Sequence, residues 1–155
     1  METDRPLEIA PSSLRAILLA SAGEAFDRAV VDRVVALAGR QRPVIHVLSV
    51  ARIYGTALGL QHPGLYPTRK EWKAQGDLVE DAVRTLKRRG FEAHGRVIGS
   101  RHAGRAIARA AVEMGCDAIV IGARPVPGWR RLLGGDDAQQ VVRRSTVPVH
   151  LVPLA

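Results

Sequence analysis

Short uninterrupted apolar runs alternate along this chain with longer stretches in which apolar residues recur at helical spacing. Ala16–Ser21 (AILLAS), Pro43–Val50 (PVIHVLSV) and Ala118–Ile121 (AIVI) are runs of the first kind. They lack the in–out alternation of a half-solvated strand and predict strands covered on both faces. Phe91–Ile98 instead alternates Phe91, Ala93, Gly95 and Val97 with Glu92, His94, Arg96 and Ile98, which predicts a less buried strand. Val147–Val152 is the last strand, with Pro148 near its start and Pro153 after it. Between these runs the helical spacing takes over. Phe26, Val30, Val34 and Leu37 form one inner stripe, and Val79, Ala82, Val83 and Leu86 form another within residues 69–89. Ile107, Ala110, Ala111 and Met114 form a third within residues 101–114. Gly39, Gly90 and Gly115 stop these helices. A short last helix follows Gly135, with Asp136 or Asp137 as its cap and Val141 and Val142 on its inner side. Strands that alternate with helices of this length imply right-handed crossovers. The predicted fold is therefore a single-domain three-layer α/β/α architecture with a five-stranded, mainly parallel sheet. Residues 1–14 are read as a flexible arm and residues 15–155 as the domain.

Two stretches stand outside this rhythm. Residues 51–67 hold three glycines, two prolines and both tyrosines, and a long loop of this kind is usually functional or a packed flap. Residues 123–135 form a second Gly/Pro-rich loop, directly after the fourth strand. Ligands of open α/β sheets bind beyond the carboxyl ends of the strands, so this loop is the first place to look for function. Gly134 and Gly135 ahead of a helix could cradle an anion. Asp136 and Asp137, however, put carboxylates on the same N–H groups. Arg124, Arg130 and Arg131 could clamp an anion with forked hydrogen bonds; Arg130 and Arg131 are read instead as partners for Asp136 and Asp137. Trp129 is read as an anchor of the loop.

Composition narrows the picture. The 155 residues suffice for one domain with a core, and 46% apolar with 25% charged residues is ordinary globular usage. No apolar run is long enough to span a bilayer, the N-terminus has no signal-like apolar region, and the lone Cys116 permits no internal disulfide. Together these suggest a cytoplasmic protein away from membranes. The 23 Lys and Arg against 15 Asp and Glu leave a formal charge of +8, which favours anionic partners. Arg101, Arg105 and Arg109 fall four apart on one helical stripe. With 4% aromatic residues and no stacking platform, that stripe reads as a solvated face, and nucleic acid is not the expected partner. Neither a nucleophile elbow, nor a zinc-ligand spacing, nor a P-loop occurs. Ser21 has no base near it in sequence, so no enzymatic activity is expected and no metal.

The framework of the opening strand (ILLASAG), the second strand (IHVLSV) and the stretch CDAIVIGAR resembles the universal stress protein family, as does the long loop after the second strand. Its signature is glycine, two residues, glycine, nine residues, glycine, then serine or threonine. Gly122 matches the first glycine and Gly135 the third, while Pro125 replaces the second and Asp136 the hydroxyl residue; Val147-Pro148-Val149 closes the match. The resemblance implies that family's adenine-nucleotide alpha-hydrolase-like fold, with a nucleotide pocket around Ala20, Ser21, Ala22, Val47, Ile121, Gly122, Arg124, Pro125, Gly135, Asp136 and Asp137. In members that bind ATP, an aspartate stands where this chain has Ala22, and Val47 matches a valine that lines the adenine. Pro125 removes an N–H and fixes φ, and Asp136 and Asp137 bring negative charge to the phosphate end. The resemblance thus implies a non-enzymatic stress-response protein in which ATP binds weakly or not at all. It also implies a homodimer built on the strand Val147–Val152. The competing reading is an ATP or AMP sensor whose substituted phosphate loop uses Arg124, Arg130 and backbone N–H groups; a weak nucleotide hydrolase is a third.

Overall fold

The computed structural model describes residues 13–53, 66–124 and 137–154. Five strands, β1 (Ala16–Ser21), β2 (Val44–Arg52), β3 (Ala93–Ser100), β4 (Ala118–Ala123) and β5 (Val149–Pro153), form one sheet in the order β3-β2-β1-β4-β5. All four pairings are parallel. The helices α1 (Arg28–Ala38), α2 (Arg69–Arg88), α3 (Ala103–Glu113) and α4 (Asp137–Arg144) make the crossovers. The expected three-layer α/β/α fold is thus the observed one, with each predicted element within a few residues of its place. The expected arm falls largely on residues 1–12, outside the described residues.

Strand alternation divides the core in two. Leu18 and Ala20 of β1 pack with Leu48, Val50, Ile107, Ile119 and Val141 beneath α3 and α4. Ile17 and Leu19 pack with Val30, Val34, Val47, Val79 and Leu86 beneath α1 and α2. All six residues of β1 are buried, because β1 is central and covered on both faces. One inward assignment is corrected: Val141 is fully buried, but Val142 is 42% exposed. In the short helix α4 the inner positions are Ala138 and Val141, three apart, and the next residue turns away from the sheet.

The caps follow local chemistry. The Asp27 carboxylate accepts the Ala29 N–H at 2.8 Å and starts α1. Thr68 and Glu71 form a reciprocal capping box at α2, with Glu71 N–H donating to Thr68 Oγ1 at 3.2 Å and Thr68 N–H donating to Glu71 Oε2 at 2.6 Å. At the opposite end of the sheet the Asp117 carboxylate accepts the N–H groups of Arg15 at 2.7 Å and Ala16 at 3.1 Å, tying the entry of β4 to the entry of β1. The order of strands reverses at β1: the chain runs outward through β2 and β3, then returns to the other side of β1 with β4. The crevice beyond the carboxyl ends of β1 and β4 is the switch point at which such sheets bind ligands.

Candidate functional site

A cavity of about 350 Å³ opens at this switch point. Its floor comes from the ends of three adjacent strands: Ala20 and Ser21 of β1, Val50 to Arg52 of β2, and Ile121 and Gly122 of β4. The turn Ala22–Phe26, the start of α2 and Leu154 form its walls. Gly23 takes φ of +106°, and a Cβ there would stand 3.2 Å from Val50 O; the turn can lie this close to β2 because the residue is glycine. Gly122 has a different reason. A Cβ on it would fall 2.7 Å from Leu154 Cδ1, so its bareness lets the C-terminal segment close over the end of β4. Leu154 N–H donates to Ala123 O at 2.9 Å and fixes that closure.

Two buried hydroxyls lie at this end of the sheet, and both are satisfied. Ser21 Oγ donates to Glu24 O within the first turn. Ser49 Oγ donates to Gln75 Oε1, and Gln75 Nε2 donates to Gly23 O at 2.9 Å. A single carboxamide from α2 thereby couples β2 to the turn after β1. Among the described residues, the guanidiniums at the mouth are already paired. Arg124 Nε meets Glu24 Oε2 at 3.2 Å, and Arg52 forms an ion pair with Asp137 at the start of α4. With Glu71 included, the described lining carries three carboxylates against two guanidiniums, a local acidity in a chain whose formal charge is +8. No histidine or cysteine is among the described lining residues. Among the described residues no cluster of three His, Cys, Asp or Glu could hold a metal ion.

Seven of the eleven residues singled out from sequence, Ala20, Ser21, Ala22, Ile121, Gly122, Arg124 and Asp137, meet in this cavity. Pro125, Gly135 and Asp136 lie outside the described residues, as do Trp129, Arg130 and Arg131. Val47 is displaced from its expected role. It pairs in register with Leu19, in mid-strand, and is 1% exposed in the core under α1 and α2. Three residues before Val50, it sits roughly 10 Å down the strand from the cavity rim at about 3.3 Å per residue. Asp137 pairs with Arg52, from a strand end 85 residues away; its expected pairing with Arg130 or Arg131 lies outside the described residues. Gln75, Glu24, Glu71 and Leu154 were not anticipated. Gln75 had a signal, since it precedes Val79 by one turn on the core-facing stripe of α2, where a polar residue calls for a partner.

The sequence from residue 13 to 153 matches the model of the universal stress protein family. No curated protein matches it. Solved structures do. A universal stress protein family member from Burkholderia pseudomallei superposes with a TM-score of 0.67 at 21% identity, covering 92% of this chain and 98% of that one. The universal stress protein of Archaeoglobus fulgidus in complex with dAMP gives 0.63 at 21% identity, over 90% and 98% of the two chains. A family protein from Arabidopsis thaliana with AMP bound gives 0.59 at 15% identity, over 91% and 92%. Sheet order, the cavity at the switch point, Gly122 at the end of β4 and a family match over nearly the whole sequence agree: the chain belongs to the universal stress protein family.

Proposed function

We propose that this protein is a non-enzymatic stress-response regulator of the cytoplasm that acts through protein contacts and binds ATP weakly or not at all. The observation that carries this reading is the state of the charges at the cavity mouth. Among the described residues, both guanidiniums at the mouth that could take a triphosphate, Arg52 and Arg124, are engaged by Asp137 and Glu24. A nucleotide has to displace those carboxylates or sit beside them, and like charges at such distances oppose the binding of a polyanion. Ala22 adds no hydrogen bond at the position where ATP-binding relatives are expected to hold the adenosine. Each missing hydrogen bond to a charged group costs about 1.5–3 kcal/mol, so two such losses lower affinity by a hundredfold or more.

The cavity itself supports a second reading. Its volume is within the range of small-molecule sites, and relatives of this fold were solved with dAMP and AMP. A monophosphate carries less charge past Asp137 and Glu24 than ATP does, so an AMP sensor is the alternative.

Isothermal calorimetry with ATP and with AMP, in magnesium, on protein checked for co-purified nucleotide separates the two. The expected result is no ATP binding below the millimolar range by the wild type, and a gain in the Asp136→Ser/Asp137→Val variant. Low-micromolar ATP binding by the wild type overturns the first reading. AMP binding in that range without ATP binding establishes the second.

A further inference from the structure

The opposite end of the sheet order carries a second surface, remote from the cavity. β3 is an edge strand, paired only with β2 among the described residues. Ile45 N–H donates to Glu92 O and Ile53 N–H donates to Ser100 O. Even-numbered residues of β3 therefore turn their backbone groups toward β2. By strand alternation, Ala93, Gly95, Val97 and Gly99 turn theirs outward, away from the sheet. This is a row of donors and acceptors ready for one more strand.

The ground beside that row is specific. Between β3 and α2 runs a groove of about 700 Å³ whose apolar floor includes Val79, Val83 and Val97. Gly95 makes the floor possible, since a Cβ there would meet Val79 Cγ1 at 2.3 Å. Six cations flank the edge: Arg84, Lys87 and Arg88 on α2, Arg96 on β3 itself, and Arg105 and Arg109 on α3 across the other face. Arg84 pairs with Asp81 and Arg109 with Glu113; among the described residues no carboxylate pairs with Lys87, Arg88, Arg96 or Arg105. Where β3 ends, Trp72 is 38% exposed, and a Cβ on Gly99 would lie 3.3 Å from its Cζ2.

We propose that this edge takes an extended acidic segment of another protein as a sixth strand. Apolar side chains of the segment alternate into the valine-floored groove on the α2 face, the acidic ones point to the α3 face and meet Arg96 and Arg105, and Trp72 anchors one end. Main-chain hydrogen bonds supply affinity in such strand addition, and the alternate side chains supply selectivity. The charge also chooses the partner. A second copy of this chain would bring the same row of cations against itself, and a like-charged edge resists pairing with its own kind. An acidic strand meets complementary charge at Arg96 and Arg105, while Glu80, which also lines the groove, stands on the α2 face with the apolar side chains.

The test uses a fluorescein-labelled synthetic peptide that alternates glutamate and valine, titrated against the full chain by fluorescence anisotropy. Three control ligands accompany it: the lysine–valine peptide, a glutamate peptide with proline in place of alternate valines, and labelled oligothymidylate. Binding of the glutamate–valine peptide is expected in the micromolar range, and binding of the two control peptides is not. Arg96→Glu combined with Arg105→Glu is expected to weaken it about tenfold or more. Val97→Pro removes an outward N–H and leaves the β2 ladder intact, so it should weaken binding similarly while thermal unfolding stays cooperative. No binding of the glutamate–valine peptide overturns the proposal. Equal binding of the proline peptide overturns it in favour of bare charge attraction, and tighter binding of oligothymidylate overturns it in favour of nucleic acid. Unchanged binding by the Arg96→Glu/Arg105→Glu protein likewise overturns it.

Discussion

Asp117 shows how much one half-buried side chain can organise. Its carboxylate accepts two backbone N–H groups, from Arg15 and Ala16, while its own N–H donates to Ala16 O at 2.8 Å. These bonds, led by the one from Arg15, hold its pKa below the ordinary carboxylate value. A carboxylate whose folded pKa is depressed contributes stability that is present above its unfolded value, near 4, and fades as pH falls through the folded value. Replacing Asp117 by Ala should therefore cost about 1 kcal/mol at neutral pH, the modest figure reflecting its partial solvent exposure. The difference from wild type should shrink steadily below about pH 4. Urea unfolding of both proteins between neutral and strongly acid pH checks this; a gap independent of pH would mean that the carboxylate charge contributes nothing. The neighbouring thiol behaves oppositely. Burial first, then the Asp117 charge, pushes Cys116 up to about 11, so its thiolate is scarce at neutral pH and it serves as a small buried apolar group. At this scale the sequence was legible where a residue's role is local. The Gly39 and Gly90 stops lie within one turn of the groups they satisfy. Arg52 with Asp137, and Gln75 with Ser49 and Gly23, join residues distant in sequence, and nothing in either local pattern names the other.

Among the elements, α4 depends most on its neighbour. It has eight residues, too few to hold a helix in water alone, and it presents Asp137 to Arg52 at the cavity mouth. What positions it is a close approach to α3 at Gly104. A Cβ on Gly104 would lie 2.4 Å from Gln140 Cβ and 3.0 Å from Asp137 O. Gly104→Ala should push α4 outward, cost about 1–3 kcal/mol by overpacking, and loosen the Arg52–Asp137 pair. Gly76, in the middle of α2, has nothing within 4 Å of the Cβ position. There the same substitution should stabilise by about 0.5–1 kcal/mol, because alanine loses less backbone entropy in a helix. Denaturant midpoints for the two variants should move in opposite directions; a shared direction would show that helix propensity, not the α3–α4 approach, governs both. Elements of this kind were legible from periodicity alone, since apolar runs and stripes report burial directly. The outward turn of Val142 was not, because with eight residues the stripe holds only two inner positions. Val47 was assigned by likeness to relatives, and the strand register, a property of pairing rather than of the run itself, places it below the cavity.

The whole molecule is a sheet with two unlike edges, and the unlikeness sorts its partners. β3 carries Arg96 and is flanked by basic helices. β5 carries Val149, Leu151 and Val152, with a single His150 among them. Ile119 N–H donates to Pro148 O and Leu154 N–H donates to Ala123 O. Even-numbered residues of β5 therefore face β4, and Val149, Leu151 and Pro153 turn their backbone outward. Pro153 has no N–H to give, so a strand added here is held by the donors of Val149 and Leu151 alone and needs its apolar side chains for the rest. An edge of this kind suits a second copy across a two-fold axis, where valine and leucine meet their own kind without charge conflict. The expected outcome is a homodimer through β5 that leaves both β3 edges free at the outer ends of a continuous sheet. Light scattering behind size exclusion should give twice the chain mass over a broad concentration range. Leu151→Pro removes an outward N–H together with an apolar contact and should return the monomer mass, while Arg96→Glu should leave the dimer intact. If Arg96→Glu alters the mass and Leu151→Pro does not, the dimer forms through β3, and the edge assigned to an acidic partner is already taken.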